Sequence, residues 1–388
     1  MISGFSSKLF KTYEGSVFDL ISLATREALD MAKLEIGDVD GFAMTFFPGL
    51  FDGKGYLFFP LHQITHYLGI KARYMDLVEF GGPSILAMIY RAEKAIRAGE
   101  AQNVLCIAGG IASFIREKGP YNNVISKLYP YITSNTFEDF YEVYDKMDPI
   151  THYALVADRH KRLFGTTDEQ RALLVVKQRK NGLNNPRALF KNQITVDDVI
   201  SSPVVADPLH LFEVVYPIDG FHAFIVSRKN KELRPVEILN YGEMHWPSVP
   251  AEWDMDITYT PTIQSVKIAN VDLNKIDAFQ LYDATSIGVL TQIEDLGLVE
   301  KGKAGKFIEE NDIYYQGNIP MNTGGGALSQ GQPAYMSGPL MLEEALLQLN
   351  YMAQGRQVKD VSKVLINGVG GGLAGRNDAI TIVLGEKK

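Results

Sequence analysis

Two histidines one helical turn apart, His62 and His66, are the tightest pairing in the chain that could hold a metal ion. A zinc site needs at least a third protein ligand, and none lies within sequence reach, so no metal is assigned and a surface or interface role carries more weight. The remaining histidines, His152, His160, His210, His222 and His245, are scattered, and Cys106 is the only cysteine. A lone cysteine forms no intrachain disulfide and rules out a paired-cysteine zinc or redox motif. It sits in the apolar run Val104-Leu105-Cys106-Ile107, where a thiol acts as a small buried hydrophobe. Lysines and arginines cluster from Arg159 to Lys191, either to meet the phosphates of a nucleotide or as a solvated helix face, the latter carrying more weight. The glycine run Gly368–Gly375 contains GxGxxG at Gly370, Gly372 and Gly375, but the chain ends at Lys388, which leaves no room for the βαβ unit of a dinucleotide fingerprint. Bare glycine backbone there, and at Gly324-Gly325-Gly326, suits the close approach of a ligand and donation from N–H groups.

The elements that must position these residues come in a repeated order. Met75–Gly82 leads into a helical stretch Ile85–Ala98, a polar loop, the strand Asn103–Ala108 and Gly109-Gly110. Some 240–260 residues later Ile319–Gly326 leads into a helical stretch Leu340–Ala353, a loop, the strand Lys363–Asn367 and the Gly368 run. The apolar period changes from about 3.6 in the helices to continuous runs in the strands, as expected for strands covered on both faces. The pattern predicts duplicated α/β halves, residues 1–228 and 229–388, each a mixed five-stranded sheet packed by helices. Further helices are expected at Phe18–Leu34, Thr151–Phe164, Thr167–Asn181 and Thr285–Leu296, and the first strand is read as clipped to Ile2-Ser3-Gly4. An insertion at about 113–208 is expected to cover the active face of the first half. With 46% hydrophobic residues, 22% charged residues and net charge −8, the chain suits a globular cytoplasmic protein with no general pull toward nucleic acid or membrane.

Tyr153-Ala154-Leu155, Gly165-Thr166-Thr167, Asn185-Pro186, Pro208-Leu209, Asp219-Gly220 and the run Asn322–Pro333 occur in the order seen in one family. With them, nearly the whole chain resembles the thiolase superfamily, in particular its sterol-carrier-protein-thiolase-like branch. The resemblance implies a thiolase fold, an acyl-CoA thioester as ligand with no permanently bound cofactor, and at least a homodimer. It also implies a possible zinc-ribbon/OB-fold partner that helps hold coenzyme A, and assembly with hydroxymethylglutaryl-CoA synthase.

It equally implies a departure at the reactive centre. Gly82 falls at the nucleophile position in place of cysteine, Gln332 replaces the histidine of the C-terminal signature, Gly368 replaces the second cysteine, and Tyr282 replaces a histidine or asparagine. No covalent acyl-cysteine is then expected. Ser84 is an alternative nucleophile or, with more weight, a hydroxyl capping the helix start. Tyr282 is the candidate acid/base, as in the related retro-aldolases that use tyrosines, or a ring packed at a strand end; its phenol, with an ordinary pKa of about 10, would need burial and partners to work near neutrality. Tyr335 is a second candidate, Gln332 a donor to the thioester oxygen, and His222 a candidate to face the pocket. Gly324, Gly325, Gly326, Gly370, Gly371 and Gly372 are the expected contacts to the thioester. The readings that follow are aldol or retro-aldol chemistry on an acyl-CoA, a non-catalytic acyl-CoA-binding subunit, and, with less weight, a conventional acyltransferase.

Overall fold

The computed structural model describes residues 1–46, 51, 59–114, 149–228, 233–246, 256–334, 336–371 and 377–386. Chain order in the first part is β1 (Ile2–Phe10), α1 (Val17–Ala32), β2 (Gly41–Met44), α2 (Pro60–Leu68), β3 (Tyr74–Leu77), α3 (Ser84–Arg97) and β4 (Asn103–Ile111). Then come α4 (Pro149–Phe164), α5 (Asp168–Gly182), α6 (Val196–Ile200), the short pair β5 (Val204–Ala206) and β6 (Leu209–His210), and β7 (Pro217–Ser227). The remainder is β8 (Val236–His245), α7 (Thr262–Ala269), β9 (Ala278–Leu281), α8 (Ser286–Asp295), α9 (Ala304–Glu310), α10 (Gly326–Gln330), β10 (Gln332–Pro333), α11 (Ser337–Leu349), β11 (Lys363–Gly370) and β12 (Asp378–Glu386). Local chemistry sets several helix starts. Ser16 with Asp19 and Thr167 with Gln170 form reciprocal capping boxes at α1 and α5, satisfying N–H groups that a helix leaves open.

One sheet runs β1-β7-β4-β2-β3, with β10 adding two residues beside β7; the other runs β8-β12-β11-β9. In the first, β2 is parallel to β3 and β4, while β7 is antiparallel to β4 and β1. In the second, β9 is parallel to β11, while β12 is antiparallel to β11 and β8. The two orders match strand for strand, which is the duplication seen in the sequence. The expected fifth strand of the second sheet is reduced, among the described residues, to a single parallel bridge between Met321 and Phe279. Pro320 beside it has no N–H to extend a ladder. The first strand is also not clipped: β1 pairs with β7 from Ile2↔Val226 to Phe10↔Asp219. Its serines hide it from a hydrophobicity reading, because Ser3 bonds Ser227 and Ser6 bonds Glu27.

Strand alternation stacks the layers. Leu105 and Ile107 of β4 join the cluster under α1, while Val104 and Cys106 face the other way, into a core shared with α3 and α11. Val364 and Ile366 of β11 meet that same core from the opposite side, and Leu365 faces α8. The helices α3 and α11 therefore lie between the two sheets. Residues 115–148 of the insertion lie outside the described residues. In the part described, Tyr153, Ala154, Val156 and Leu174 pack with Phe279, Leu281, Ile287 and Leu290 of the second half. Polar anchors hold it there: Asn181 Nδ2 donates to the carbonyls of Ile313 (3.1 Å) and Met321 (3.0 Å). No described helix is long and apolar enough to cross a membrane.

Candidate active site

The glycine turn before α3 and the glycine end of β11 meet where the two halves abut. A Cβ on Gly370 would lie 1.8 Å from the Phe80 carbonyl oxygen, one on Gly368 2.9 Å from Pro83 Cβ, and one on Gly338 2.1 Å from the Gly82 carbonyl oxygen. Gly81, at φ +66, passes the Gly371 amide with only 3.1 Å to spare for a side chain. Side chains at these four positions would drive the segments apart. On the outer side, Phe80 stacks on His245 with ring centroids 4.6 Å apart, and His245 is held between Glu243 and Asp378.

Tyr282 stands at the centre of this junction. A Cβ on Gly82 would lie 2.0 Å from Tyr282 Cε2 and 2.5 Å from Cζ. The phenol ring therefore occupies the volume that a nucleophile side chain on residue 82 would need. Its ring is 5% exposed and packs in the central core. Its backbone is clamped: the N–H donates to the Asn367 carbonyl (3.0 Å) and to Gln292 Oε1 (3.1 Å), and the carbonyl accepts from Gln292 Nε2 (2.6 Å).

The Ser84 hydroxyl donates to the Gly81 carbonyl (2.7 Å) and accepts from the Phe80 N–H (2.8 Å). It staples the turn that carries Gly82, instead of capping N–H groups of α3 as the sequence led us to expect. Gln332 is buried, with Oε1 accepting from the Ser337 hydroxyl and one Nε2–H donated to the Ala334 carbonyl (3.0 Å). Asp283, which sequence reasoning passed over, is fully buried. It accepts from the amides of Ala327 (3.0 Å) and Leu328 (3.1 Å) and from Gln178 Nε2 (2.9 Å), and burial pushes its carboxyl up to about 7. The adjacent Tyr282-Asp283-Ala284-Thr285 step was the signal available for it. Gly326, at φ +61, is shaped by this carboxylate: a Cβ there would sit 2.0 Å from Asp283 Oδ2. Gly324 and Gly325 press likewise on Glu344 and on Gly182 of α5, so this run is a packed turn against the insertion. Gly372 and Tyr335 lie outside the described residues.

The Cys106 thiol is fully buried, and burial pushes its pKa far up, away from nucleophilic character. His62 and His66 are exposed on α2 around an open hollow of about 480 Å³ shared with Phe59 and Gln63. No group of three metal-ligating side chains occurs among the described residues. His222 is buried at the β1–β7 pair, its Nδ1 bonded to Ser7 Oγ, whose hydrogen goes to Glu343 Oε2 (2.6 Å). Since that hydroxyl has one hydrogen, Nδ1 carries the imidazole proton. Nε2 is then a buried acceptor without a partner among the described residues, and burial holds the His222 pKa down to about 3. Four members of the basic cluster are engaged within the protein. Arg159 pairs with Asp256, Arg171 with Glu213, Arg187 with Glu343, and Lys177 donates to the carbonyls of Ile308 and Asn311.

A model described as thiolase C-terminal domain-like matches residues 251–386. The chain is 27% identical to an acetyl-CoA acetyltransferase of Methanothermobacter thermautotrophicus over 94% of both lengths. This chain belongs to the thiolase superfamily. Its 26% identity to sterol carrier protein 2 of Gallus gallus, over 57% of this chain and 43% of the other, puts it in the sterol-carrier-protein-thiolase-like branch. A steroid side-chain-cleaving aldolase of Thermomonospora curvata is 26% identical over 94% of this chain and 93% of its own. In three dimensions the thiolase fold here superposes on that of an Ltp2-ChsH2(DUF35) aldolase with a TM-score of 0.81, at 23% identity and over 99% of this chain and 97% of the other.

Proposed function

We propose that this thiolase-superfamily chain binds an acyl-CoA thioester where Gly82, Tyr282 and the Gly368–Gly371 end converge. There it makes or breaks a carbon–carbon bond by aldol or retro-aldol chemistry, without a covalent acyl-cysteine. The observation that carries this reading is the Tyr282 ring in the space of a residue-82 side chain. A thiolase-type acyl transfer needs a thiolate there, and the one cysteine lies buried in β4. Relatives named as an acyltransferase and as an aldolase support a thioester-handling enzyme of this class.

In the cleavage direction a base takes the proton of a β-hydroxyl, the Cα–Cβ bond breaks, and its electron pair passes into the thioester as an enolate. The carbonyl fragment leaves, and the α-carbon then takes a proton. Tyr282 is the acid/base in this reading, and glycine amides of the Gly368–Gly371 end, with the second Nε2–H of Gln332, are the donors that hold the enolate oxygen. Ser84 shapes the turn. The test is turnover of β-hydroxyacyl-CoA esters: Tyr282→Phe should lower kcat by at least about a hundredfold and leave acyl-CoA affinity nearly unchanged. Equal turnover by both proteins would sink the assignment.

A second reading, a non-catalytic acyl-CoA-binding subunit, is favoured by Gln332, whose oxygen and one N–H are already engaged within the protein. It predicts acyl-CoA affinity with no turnover. As part of the same proposal, the halves divide near residue 228, and a homodimer forms through the outer edge of β3. Among the described residues that strand pairs only with β2, and Met75 and Leu77 are exposed. A second protein sharing the coenzyme A site, such as the zinc-ribbon/OB-fold type, belongs to this proposal too. The structural neighbour named as an Ltp2-ChsH2(DUF35) aldolase supports a multi-protein assembly.

A further inference from the structure

Three arginines are buried among the described residues: Arg171, Arg179 and Arg356. Buried charges are normally paired, because the cost of leaving water is otherwise uncompensated. Arg171 Nε holds Glu213 Oε1 at 2.9 Å, and Arg356 grips Glu344 through Nε and Nη2 at 2.8–3.1 Å. Arg179 is the exception. It is 5% exposed, no carboxylate lies within ion-pair distance of it among the described residues, and its Nε is buried without a hydrogen-bond partner. Burial lowers its pKa, and no anion among the described residues acts in the other direction.

The surroundings are those of a recognition site more than of a packing accident. The guanidinium rests on the Phe190 ring at 4.7 Å, so one face is covered and the hydrogen-bonding edge is left over. Phe190 meets Tyr216 edge-on at 5.5 Å, and the Tyr216 carbonyl accepts the backbone N–H of Gln332 at 2.9 Å. The Phe190 N–H donates to the carbonyl of Ser329, three residues before Gln332. Ser329 Oγ and Gln178 Oε1 are two more buried polar atoms without partners. Both sit at the contact between α5 and α10, where a Cβ on Gly182 would come within 2.9 Å of Ser329 Oγ.

We infer that Arg179 is an anion-recognising subsite, in which its planar edge takes a carboxylate carried by the acyl part of the bound thioester. The link through Phe190 and Tyr216 to Gln332 assigns the anion to the acyl end, whereas a coenzyme A phosphate shares the same chemistry and must be told apart by experiment. The identity of the ligand rests on the acyl-CoA reading above; the cationic site itself does not.

Calorimetric binding of succinyl-CoA and butyryl-CoA, which differ at the distal carboxylate, tests the inference. The wild-type chain should bind succinyl-CoA at least about tenfold more tightly, and Arg179→Met should erase that preference. Arg179→Lys, which keeps the charge but loses the planar fork, should retain part of it, and it stands in if Arg179→Met does not fold. Equal binding of the two esters, with a preference for coenzyme A over its 3′-dephospho form that Arg179→Met abolishes, would move the anion to the nucleotide and overturn the acyl-side assignment. Preferences unchanged in both variants would overturn the site altogether. If no coenzyme A ester binds, the acyl-CoA reading fails, and free succinate decides this one. A thermal midpoint raised by succinate in wild type and not in Arg179→Met supports the site, and no rise overturns it.

Discussion

A methyl group on residue 82 and the ring of Tyr282 cannot share the space between them, with 2.0 Å from the added carbon to Cε2. Gly82 and Tyr282 are therefore one steric pair: glycine admits the ring, and the ring excludes any side chain on residue 82. Restoring a side chain at residue 82 alone overpacks a buried site. Gly82→Ala should destabilise the fold by about 1–3 kcal/mol, and Tyr282→Ala should cost stability of its own by leaving a cavity. The double variant should be less destabilised than the sum of the two by at least about 1 kcal/mol, because the overlap is gone. Urea denaturation of the four proteins measures this, and simple additivity would contradict the pairing. Residue identity made Gly82 and Tyr282 conspicuous in the sequence. Their contact was not legible, since 200 residues separate them. Asp283 was passed over, and Arg179 was read only as one member of the Arg159–Lys191 cluster, for a related reason: only tertiary packing makes a carboxylate or a guanidinium remarkable by burying it.

At the scale of elements, the β1–β7 pair carries a buried neutral imidazole whose charge state responds to acid. His222 has a folded pKa of about 3 against about 6.5 in an unfolded chain. Between those values the unfolded chain binds a proton that the folded one refuses. Stability is therefore full above about pH 6.5 and falls as pH drops toward 3, by up to about 1.4 kcal/mol per pH unit from this group. In urea midpoints taken from pH 7 to pH 5, His222→Gln should show a flatter decline than wild type; equal slopes would remove His222 as the cause. The helices and continuous apolar strands were legible because their periodicity is local. Expected Ile85–Ala98 became α3 at Ser84–Arg97, and expected Asn103–Ala108 became β4 at Asn103–Ile111. β1 was not legible beyond Gly4, because its serines find partners on β7, α1 and α11, none of which composition reveals. The packing of α4 and α5 on the second half was not legible either, because an insertion's neighbours in sequence are not its neighbours in space.

Across the whole molecule, two copies of one topology are packed through α3 and α11, and the glycine ends of their central elements touch at Gly81, Gly370 and Gly371. Duplication explains the position of the site. The turn before α3 comes from one half and the end of β11 from the other, so a ligand held there is gripped by both. The Asp283–Gly326 contact and the buried Glu344–Arg356 pair fix the second half's own glycine turn from behind. On the reading proposed above, this junction holds the thioester while the Tyr282 ring fills the space of a residue-82 side chain. Native mass spectrometry of the chain with an acyl-CoA, followed by denaturation of the same sample, tests that account most directly. The account predicts a non-covalent acyl-CoA complex that returns to the unmodified chain on denaturation. An acyl adduct surviving denaturation would contradict it.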